Sequence, residues 1–362
     1  MGWDTRLLSK LTKDEILSIS DIGEFENRRI LMTISCEDAS SIPKIASAGE
    51  VIVENDEPQQ IMHNGLRIIK GCYYGNWMTI IIKLLNGHHE PQEEFAFFEI
   101  LKQLKLKPSK WGDPSILEIG SFWSYYSMWF MKENQSGKAF CIEPDPNYLA
   151  VGKKNFGLNS LTAEFKNFQV GTKDSEDSSF LCESTGQILN VPTLTFSSIL
   201  KNSGNTNFDI VLADIQGAEI SMLENLSDAL KVANIRFMLI STHDMQITGS
   251  PTTHQDCLYL LRKHGARIVA EHSVSESFSG DGLILASFSD LDRDLQVKIS
   301  FNRSKLSLFG EWEPRIAHIM AQQNAQIFDG QDYKSELEKI QNSKSWKKTK
   351  PVRFISRFLR NL

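Results

Sequence analysis

The sequence predicts an α/β fold in which helices cover both faces of a doubly wound, mostly parallel sheet. Three observations predict it. Short apolar segments alternate with helical ones after residue 115, several apolar segments end in a glycine or an acid, and the last two follow each other without a helix. Such alternation is typical of parallel sheets. The final pair predicts an antiparallel hairpin at one edge.

The chain divides into five predicted regions. Residues 1–60 form an N-terminal extension with a short helical opening, and residues 61–110 supply a lead-in strand and helix. The α/β domain spans 111–290. A helical or irregular extension follows at 291–334, and a basic amphipathic tail at 335–362.

The elements of the α/β domain are predicted from hydrophobic periodicity and from glycine and proline positions. In order they are strand 115–119, helix 123–132, strand 138–143, helix 147–157, strand 165–170, strands 180–181 and 191–196, strand 208–213, helix 217–226, strand 235–241, helix 253–263, and strands 266–271 and 282–288.

Composition narrows the class of protein. The net charge of −6 argues against a general nucleic-acid-binding surface, and no Asn-Pro-Pro-Tyr-like motif for a flipped base occurs. Five cysteines stand singly, without zinc spacing, as in a reducing compartment. The first 13 residues have no signal-like apolar region, and the apolar run 78–85 is too short to span a bilayer. These features predict a cytoplasmic protein.

Two strand ends predict a nucleoside site. Strand 115–119 runs into Gly120 and Ser121, where the backbone can approach a ligand at the carboxyl edge of the sheet. The next strand ends in Glu143, placed to accept two ribose hydroxyls. Bulky Phe122 and Trp123 replace the glycines that a diphosphate needs. A nucleoside without phosphates fits better, which favours S-adenosylmethionine.

Two further strand ends predict the reacting groups. One delivers Asp214, and the next ends at His243. Neighbouring strands lie about 5 Å apart, so both side chains are expected to flank one pocket. His243 is the candidate base for an acceptor hydroxyl, and Asp214 would orient it or the substrate. An alternative is a divalent ion, such as Mg²⁺, held by Asp214, His243 and Asp244.

Four sequence runs carry a family resemblance. They are Glu118-Ile-Gly120-Ser121-x-x-Ser124-Tyr125-Tyr-Ser127, Glu143-Pro-Asp-Pro146, Val191-Pro-Thr-Leu194 and Asp214-Ile-Gln-Gly217-Ala-Glu219. Together they resemble the successive signatures of FkbM-type methyltransferases, over roughly residues 88–288. The resemblance implies a class I, Rossmann-like fold, S-adenosylmethionine as donor, and methylation of a hydroxyl, often on a sugar or natural product. The cofactor contacts it implies are Glu118, Gly120, Ser121, Tyr125, Glu143 and Pro144.

A second hypothesis stays open beside this one. Where the family usually has Asp, Ala, Asn and Gly, this chain has Glu118, Ser121, Phe122 and Ser124. A non-catalytic subunit with the same fold, scaffolding a polysaccharide-assembly enzyme at the membrane, would tolerate those changes.

The C-terminal tail predicts where the protein is located in the cell, under either of the two functional hypotheses. The run from Ser343 to Arg353 resembles the ending of bacterial proteins that build surface polysaccharides. The stretch Lys344–Leu362 holds seven Lys or Arg and no acid, with apolar residues at helical spacing. Such a helix favours anionic lipid. It predicts peripheral contact with the inner face of the membrane or with an assembly partner, and the acceptor is then a glycan or small-molecule hydroxyl.

Overall fold

The computed structural model describes residue 3, residues 5–20 and residues 22–303. The predicted tail 335–362, and the part of the predicted extension beyond residue 303, lie outside the described residues. The strands are β1 Val51–Glu54, β2 Glu57–Ile61, β3 Arg67–Ile69, β4 Ser115–Ile119, β5 Lys138–Ile142, β6 Glu164–Lys166, β7 Gln169–Val170, β8 Ser175–Leu181, β9 Ile188–Leu194, β10 Asn207–Ala213, β11 Asn234–Thr242, β12 Arg267–His272 and β13 Gly282–Ser287.

Helices flank these strands through the described part of the chain. They are α1 Thr5–Leu8, α2 Lys13–Ser20, α3 Glu24–Thr33, α4 Asn76–Leu84, α5 Pro91–Leu106, α6 Tyr125–Glu133, α7 Pro146–Leu158, α8 Phe196–Asn202, α9 Glu219–Glu224, α10 Leu226–Val232, α11 Met245–Thr248 and α12 Thr253–Lys263. Among the described residues, no helix combines the length and the apolar character that crossing a bilayer requires.

The main sheet has seven strands in the order β12-β13-β11-β10-β4-β5-β6. The five strands from β11 to β6 pair in parallel, and β13 pairs antiparallel with both β11 and β12. The predicted doubly wound fold and its antiparallel edge hairpin are therefore confirmed. The chain reverses its direction of winding between β4 and β10, which makes their carboxyl ends a topological switch point.

Both faces of this sheet are buried. Along β10, Ile210 and Leu212 belong to one hydrophobic core with α5 and α6, whereas Val211 and Ala213 belong to a second core with α8 to α10 and α12. Successive strand residues point to opposite faces, so a strand covered on both sides is apolar at most positions. The buried exceptions Asp209 and Glu118 accept hydrogen bonds from backbone N–H groups. Burial on both faces explains why these strands appear in the sequence as mainly apolar runs.

Some boundaries differ from the predicted ones for physical reasons. The apolar run 78–85 lies in helix α4 up to Leu84, and five of its residues are buried in the first core. The predicted strand 165–170 is divided between β6 and β7, which belong to different sheets. The predicted helix 217–226 is interrupted at Asn225, whose side chain accepts a hydrogen bond from the Ser197 N–H at 2.8 Å.

Two small sheets complete the fold. β1, β2 and β3 form an antiparallel sheet. This sheet spans residue 60, the predicted boundary between the N-terminal extension and the lead-in region. β7, β8 and β9 form the other, and its β8–β9 hairpin (residues 175–194, here called the flap) lies beside the carboxyl edge of the main sheet. Asp145 ties the flap to the start of α7, because its carboxylate accepts from the backbone N–H of both Asn147 and Ser184 at 2.9 Å.

Candidate active site

A cavity of about 550 Å³ lies beyond the carboxyl ends of β4, β5 and β10. Flap residues close one side, and residues from the N-terminal region close another. Its polar and charged lining includes Tyr73, Tyr74, His89, Glu90, Glu93, Glu118, Ser121, Glu143, Asp145, Glu183 and Asp214. Since ligands of open α/β sheets bind at the switch point, this cavity is the candidate active site.

The turn after β4 requires glycine at position 120. Gly120 has φ +78°, and a Cβ there would lie 1.7 Å from the Asp214 carbonyl oxygen. The next residue, Ser121, is 1% exposed and lines the cavity. Its hydroxyl has no hydrogen-bond partner among the described residues. Glycine at this position therefore lets the turn pack directly against the backbone after β10, and Ser121 offers the cavity one unsatisfied hydroxyl.

Phe122, the bulky residue of the turn, forms part of the cavity wall without filling the cavity. Its φ is +36°, and its ring stacks on Tyr148 with centroids 3.6 Å apart. The departure from the family pattern at this position is thus accommodated by a stacked pair between the turn and α7.

Glu143 lies at the end of β5 with its carboxylate fixed by the backbone. One oxygen accepts from the Asp145 N–H and the other from the Phe122 N–H, both at 2.9 Å. Each carboxylate oxygen has two acceptor sites, so capacity for ligand hydroxyls remains. Burial raises the pKa of Glu143 to about 7, although these backbone bonds oppose the shift. Pro144 follows in the cavity lining.

Two other predicted cofactor residues occupy different positions. Glu118 lines the cavity from β4, where its Oε2 accepts from the Ser127 N–H at 2.9 Å and burial raises its pKa to about 8. Tyr125 is not in the cavity lining: it is fully buried, and its hydroxyl lies 2.9 Å from His63 Nδ1. Because a helix rotates about 100° per residue, Tyr126 lines the cavity instead.

The predicted reacting residues meet, but only one faces the cavity. His243 Nε2 lies 3.1 Å from Asp214 Oδ1, and its Nδ1 lies 2.5 Å from Glu219 Oε1. The Asp214 side chain is 31% exposed and lines the cavity, whereas that of His243 is fully buried behind it. His243 therefore does not line the cavity, and Asp214 lies between it and the cavity.

The charge on His243 follows from its neighbours. Burial alone would lower its pKa, but Asp281, Asp214 and Glu219 outweigh burial and raise the pKa well above the usual value. These acids therefore favour the protonated form of the imidazole behind Asp214. The Asp244 carboxylate caps α11 by accepting from the Gln246 N–H at 2.9 Å. Among the described residues, the ligand atoms of Asp214, His243 and Asp244 do not all lie within 4.8 Å of one another, so the alternative metal set is not brought together in this structure.

Sequence reasoning missed the N-terminal wall of the cavity. Tyr73, His89, Glu90 and Glu93 line it from α5 and from the segments before α4 and α5. Burial, with the nearby carboxylates, raises the pKa values of Glu90 and Glu93 to about 8 each. These residues lie far from the strand-end motifs in the chain, and the dense run of ionisable groups at 88–94 was the one signal available.

Residues 112–268 match the family model described as the methyltransferase FkbM domain. The matched segment includes β4, β5, β10 and β11, and with them Gly120, Glu143, Asp214 and His243. It confirms the family resemblance and the enzyme class predicted from sequence. The matched segment is less than half of the 362 residues, and the N-terminal wall of the cavity lies outside it.

Solved structures give a weaker likeness to the chain, whereas comparison with curated protein sequences gave no match. An O-methyltransferase from Bacillus cereus in complex with SAH is 15% identical, with a TM-score of 0.37 over 55% of this chain and 80% of that one. TrmK from M. capricolum, in complex with S-adenosyl-homocysteine, is 15% identical, with a TM-score of 0.33 over 68% and 92%. The family match, rather than these likenesses, supports the assignment.

Proposed function

Because residues 112–268 form a methyltransferase domain of the FkbM type, we propose that the chain transfers a methyl group from S-adenosylmethionine to a hydroxyl, on a sugar of a bacterial surface polysaccharide or its precursor. The observation that carries the proposal is the pairing of Gly120 and Glu143 at one end of the cavity with Asp214 beside them. The cofactor is placed at the first two residues and the acceptor at the third.

The cofactor half of the cavity fits a nucleoside. The carboxylate of Glu143, oriented by two backbone N–H groups, presents its remaining acceptor sites for ribose hydroxyls. The hydroxyl of Ser121, buried and unpaired among the described residues, is available to the cofactor's amino-acid end. Gly120 lines the cavity beside Ser121, and the absence of a Cβ allows this turn to pack against the Asp214 carbonyl. When bound, S-adenosylmethionine supplies a methyl group on a positively charged sulfur.

The acceptor half of the cavity suits a polyhydroxylated ring. Aromatic side chains of Tyr73, Trp123 and Tyr126 line it together with the carboxyl groups of Glu90 and Glu93. Aromatic faces pack against the apolar faces of sugars, and carboxyl groups bond their hydroxyls. This composition supports a glycan acceptor.

Asp214 is the residue proposed to contact the acceptor hydroxyl. Its carboxylate takes the hydroxyl proton as the new C–O bond forms and the carbon–sulfur bond breaks, which leaves S-adenosylhomocysteine and a methyl ether. His243 acts as a positioning residue: held by Glu219, it fixes the Asp214 carboxylate in its orientation toward the cavity. Acceleration then comes from alignment of donor and acceptor as well as from proton removal.

Calorimetry with S-adenosylhomocysteine tests the cofactor half. Wild type should bind, and Glu143→Ala should lose most of the affinity, whereas the exposed control Glu224→Gln should not change it. No binding to wild type would reject the proposal and favour the scaffold hypothesis, since a non-catalytic subunit has no need of the cofactor.

Turnover tests the acceptor half, measured as S-adenosylhomocysteine release with pooled mono- and oligosaccharides. Asp214→Asn should lower turnover by about 100- to 10,000-fold. His243→Ala should also lower turnover far more than it weakens cofactor binding. Unchanged turnover in either variant would remove that residue from the mechanism.

The membrane part of the proposal rests on the tail alone. Lys344–Leu362 is cationic and supports a position at an anionic membrane surface, near lipid-linked acceptors. The full chain should sediment with phosphatidylglycerol vesicles, and a chain ending at residue 343 should not. Equal sedimentation of the two chains would reject this part and leave methyl transfer untouched.

A further inference from the structure

A cluster of side chains that can bind a metal ion lies in the core beside the N-terminal wall of the cavity. It consists of His63, His88 and Glu94, which we call the His–Glu cluster, with the hydroxyl of Tyr125 next to it. His63 is 2% exposed, and the other three are fully buried. The proposed methyl transfer uses none of these four residues.

The side-chain atoms of the cluster converge on one point. The ligand atoms of its three members all lie within 4.8 Å of one another. His63 Nδ1 is 2.9 Å from the Tyr125 hydroxyl and 3.8 Å from Glu94 Oε2, and that hydroxyl is 3.3 Å from the same carboxylate oxygen. His88 Nδ1 makes a short hydrogen bond to this oxygen as well.

These separations suit a tetrahedral ion. With metal–nitrogen and metal–oxygen bonds of about 2.0–2.2 Å, ligand atoms in a tetrahedron stand about 3.3 Å apart. The observed separations lie on both sides of that value, so small side-chain shifts are enough. Two imidazoles, a carboxylate and an oxygen ligand form a set that Zn²⁺ accepts.

We propose that His63, His88 and Glu94, with Tyr125 as the fourth ligand, bind a structural zinc ion. The site is closed to solvent, as structural zinc sites are, because every ligand is buried. This inference does not depend on the proposed methyl transfer.

The ion would join segments that are separate in sequence. His63 follows β2, His88 precedes α5, Glu94 lies in the first turns of α5, and Tyr125 begins α6. Glu94 also accepts a hydrogen bond from the His89 N–H, and His89 lines the cavity. Zinc would therefore hold the N-terminal wall of the cavity in place against the methyltransferase domain, without contacting the substrate.

Metal analysis of the full chain tests the proposal. The protein is expressed in zinc-supplemented medium without a polyhistidine tag, and its metal content is measured by mass spectrometry. We expect about one zinc per chain for wild type, and below about a tenth of that for His63→Gln and Glu94→Gln. His272→Gln is the matched control, because His272 is equally buried but bonds only its neighbour's carbonyl at 3.1 Å among the described residues.

Each outcome decides the question. Wild type without zinc, whose melting temperature responds neither to chelator nor to added Zn²⁺, would overturn the proposal and leave a hydrogen-bonded network. Zinc retained in both variants would overturn the assigned ligands. If the variants fail to fold, wild type loaded with Co²⁺ decides, since tetrahedral cobalt absorbs strongly in the visible range; a weak octahedral spectrum would overturn the site.

Discussion

The variant Glu143→Gln separates two effects of the Glu143 carboxylate: its contribution to cofactor affinity and its effect on the free energy of unfolding of the unliganded protein. The substitution keeps the size of the side chain and removes the charge. In the wild type, burial raises the pKa of Glu143 from 4.5 to about 7, so ionisation is disfavoured in the folded chain. The folded state therefore binds a proton more tightly than the unfolded state does.

The magnitude follows from that pKa difference. Stability that depends on the protonated carboxyl is fully present below pH 4.5 and is lost as the pH rises toward 7, whereas the amide does not titrate. The free energy of unfolding of Glu143→Gln, minus that of wild type, should grow by about 2–3 kcal/mol between pH 5 and pH 8. Any backbone hydrogen bond lost with the amide shifts this difference equally at each pH.

Binding should change in the opposite sense. A hydrogen bond to a charged group contributes about 1.5–3 kcal/mol, so the affinity for S-adenosylhomocysteine should fall by about 10- to 150-fold in the variant. Urea unfolding at four pH values and calorimetry at pH 8 are the assays, with Glu224→Gln as control. A difference in unfolding free energy that does not vary with pH would refute the burial argument. Unchanged affinity would refute the ribose contact.

The turn and the core give two further predictions. Gly120→Ala should abolish S-adenosylhomocysteine binding in calorimetry and destabilise the fold, because the added methyl group overlaps the backbone carbonyl of Asp214. The control Gly157→Ala, in open space within α7, should leave the free energy of unfolding unchanged or raise it by up to about 1 kcal/mol. Normal binding by Gly120→Ala would contradict the need for glycine in this turn. Asp292→Asn should cost about 3–5 kcal/mol in urea unfolding, because Arg236 is 1% exposed and donates to both carboxylate oxygens. The exposed Asp290→Asn should cost under about 1 kcal/mol, and equal losses in the two would contradict the difference in burial.

The position of His243 changes the interpretation of its chemistry. A histidine at a strand end is a usual choice for a base, and the sequence predicted it in that role. Here Asp281, Asp214 and Glu219 outweigh the effect of burial and raise its pKa, which favours the protonated imidazole. A protonated imidazole cannot accept a proton, and for this reason the proposed mechanism gives that task to Asp214 and orientation to His243.

The main sheet, and the meeting of its strand ends at one cavity, could be predicted from the sequence alone. Apolar runs of strand length, separated by helical periodicity, specify a sheet buried on both faces, because a doubly covered strand has no polar side. Parallel strands align their carboxyl ends, so the residues after β4, β5 and β10 had to meet. For that reason the sequence placed Gly120, Glu143 and Asp214 together, and all three line the cavity.

Only the tertiary structure determines which side chains face the cavity and how far apart they lie. Periodicity places Tyr125 and Tyr126 on one helix, but only the packing of α6 determines which of them faces the cavity. Strand ends place His243 near Asp214, but the fold sets one in front of the other. The N-terminal wall of the cavity comes from residues 73–93, which reach the cavity through packing against the sheet. Contacts between segments that are distant in sequence depend on how helices and strands pack against one another. The local sequence pattern predicts the helices and strands but not this packing.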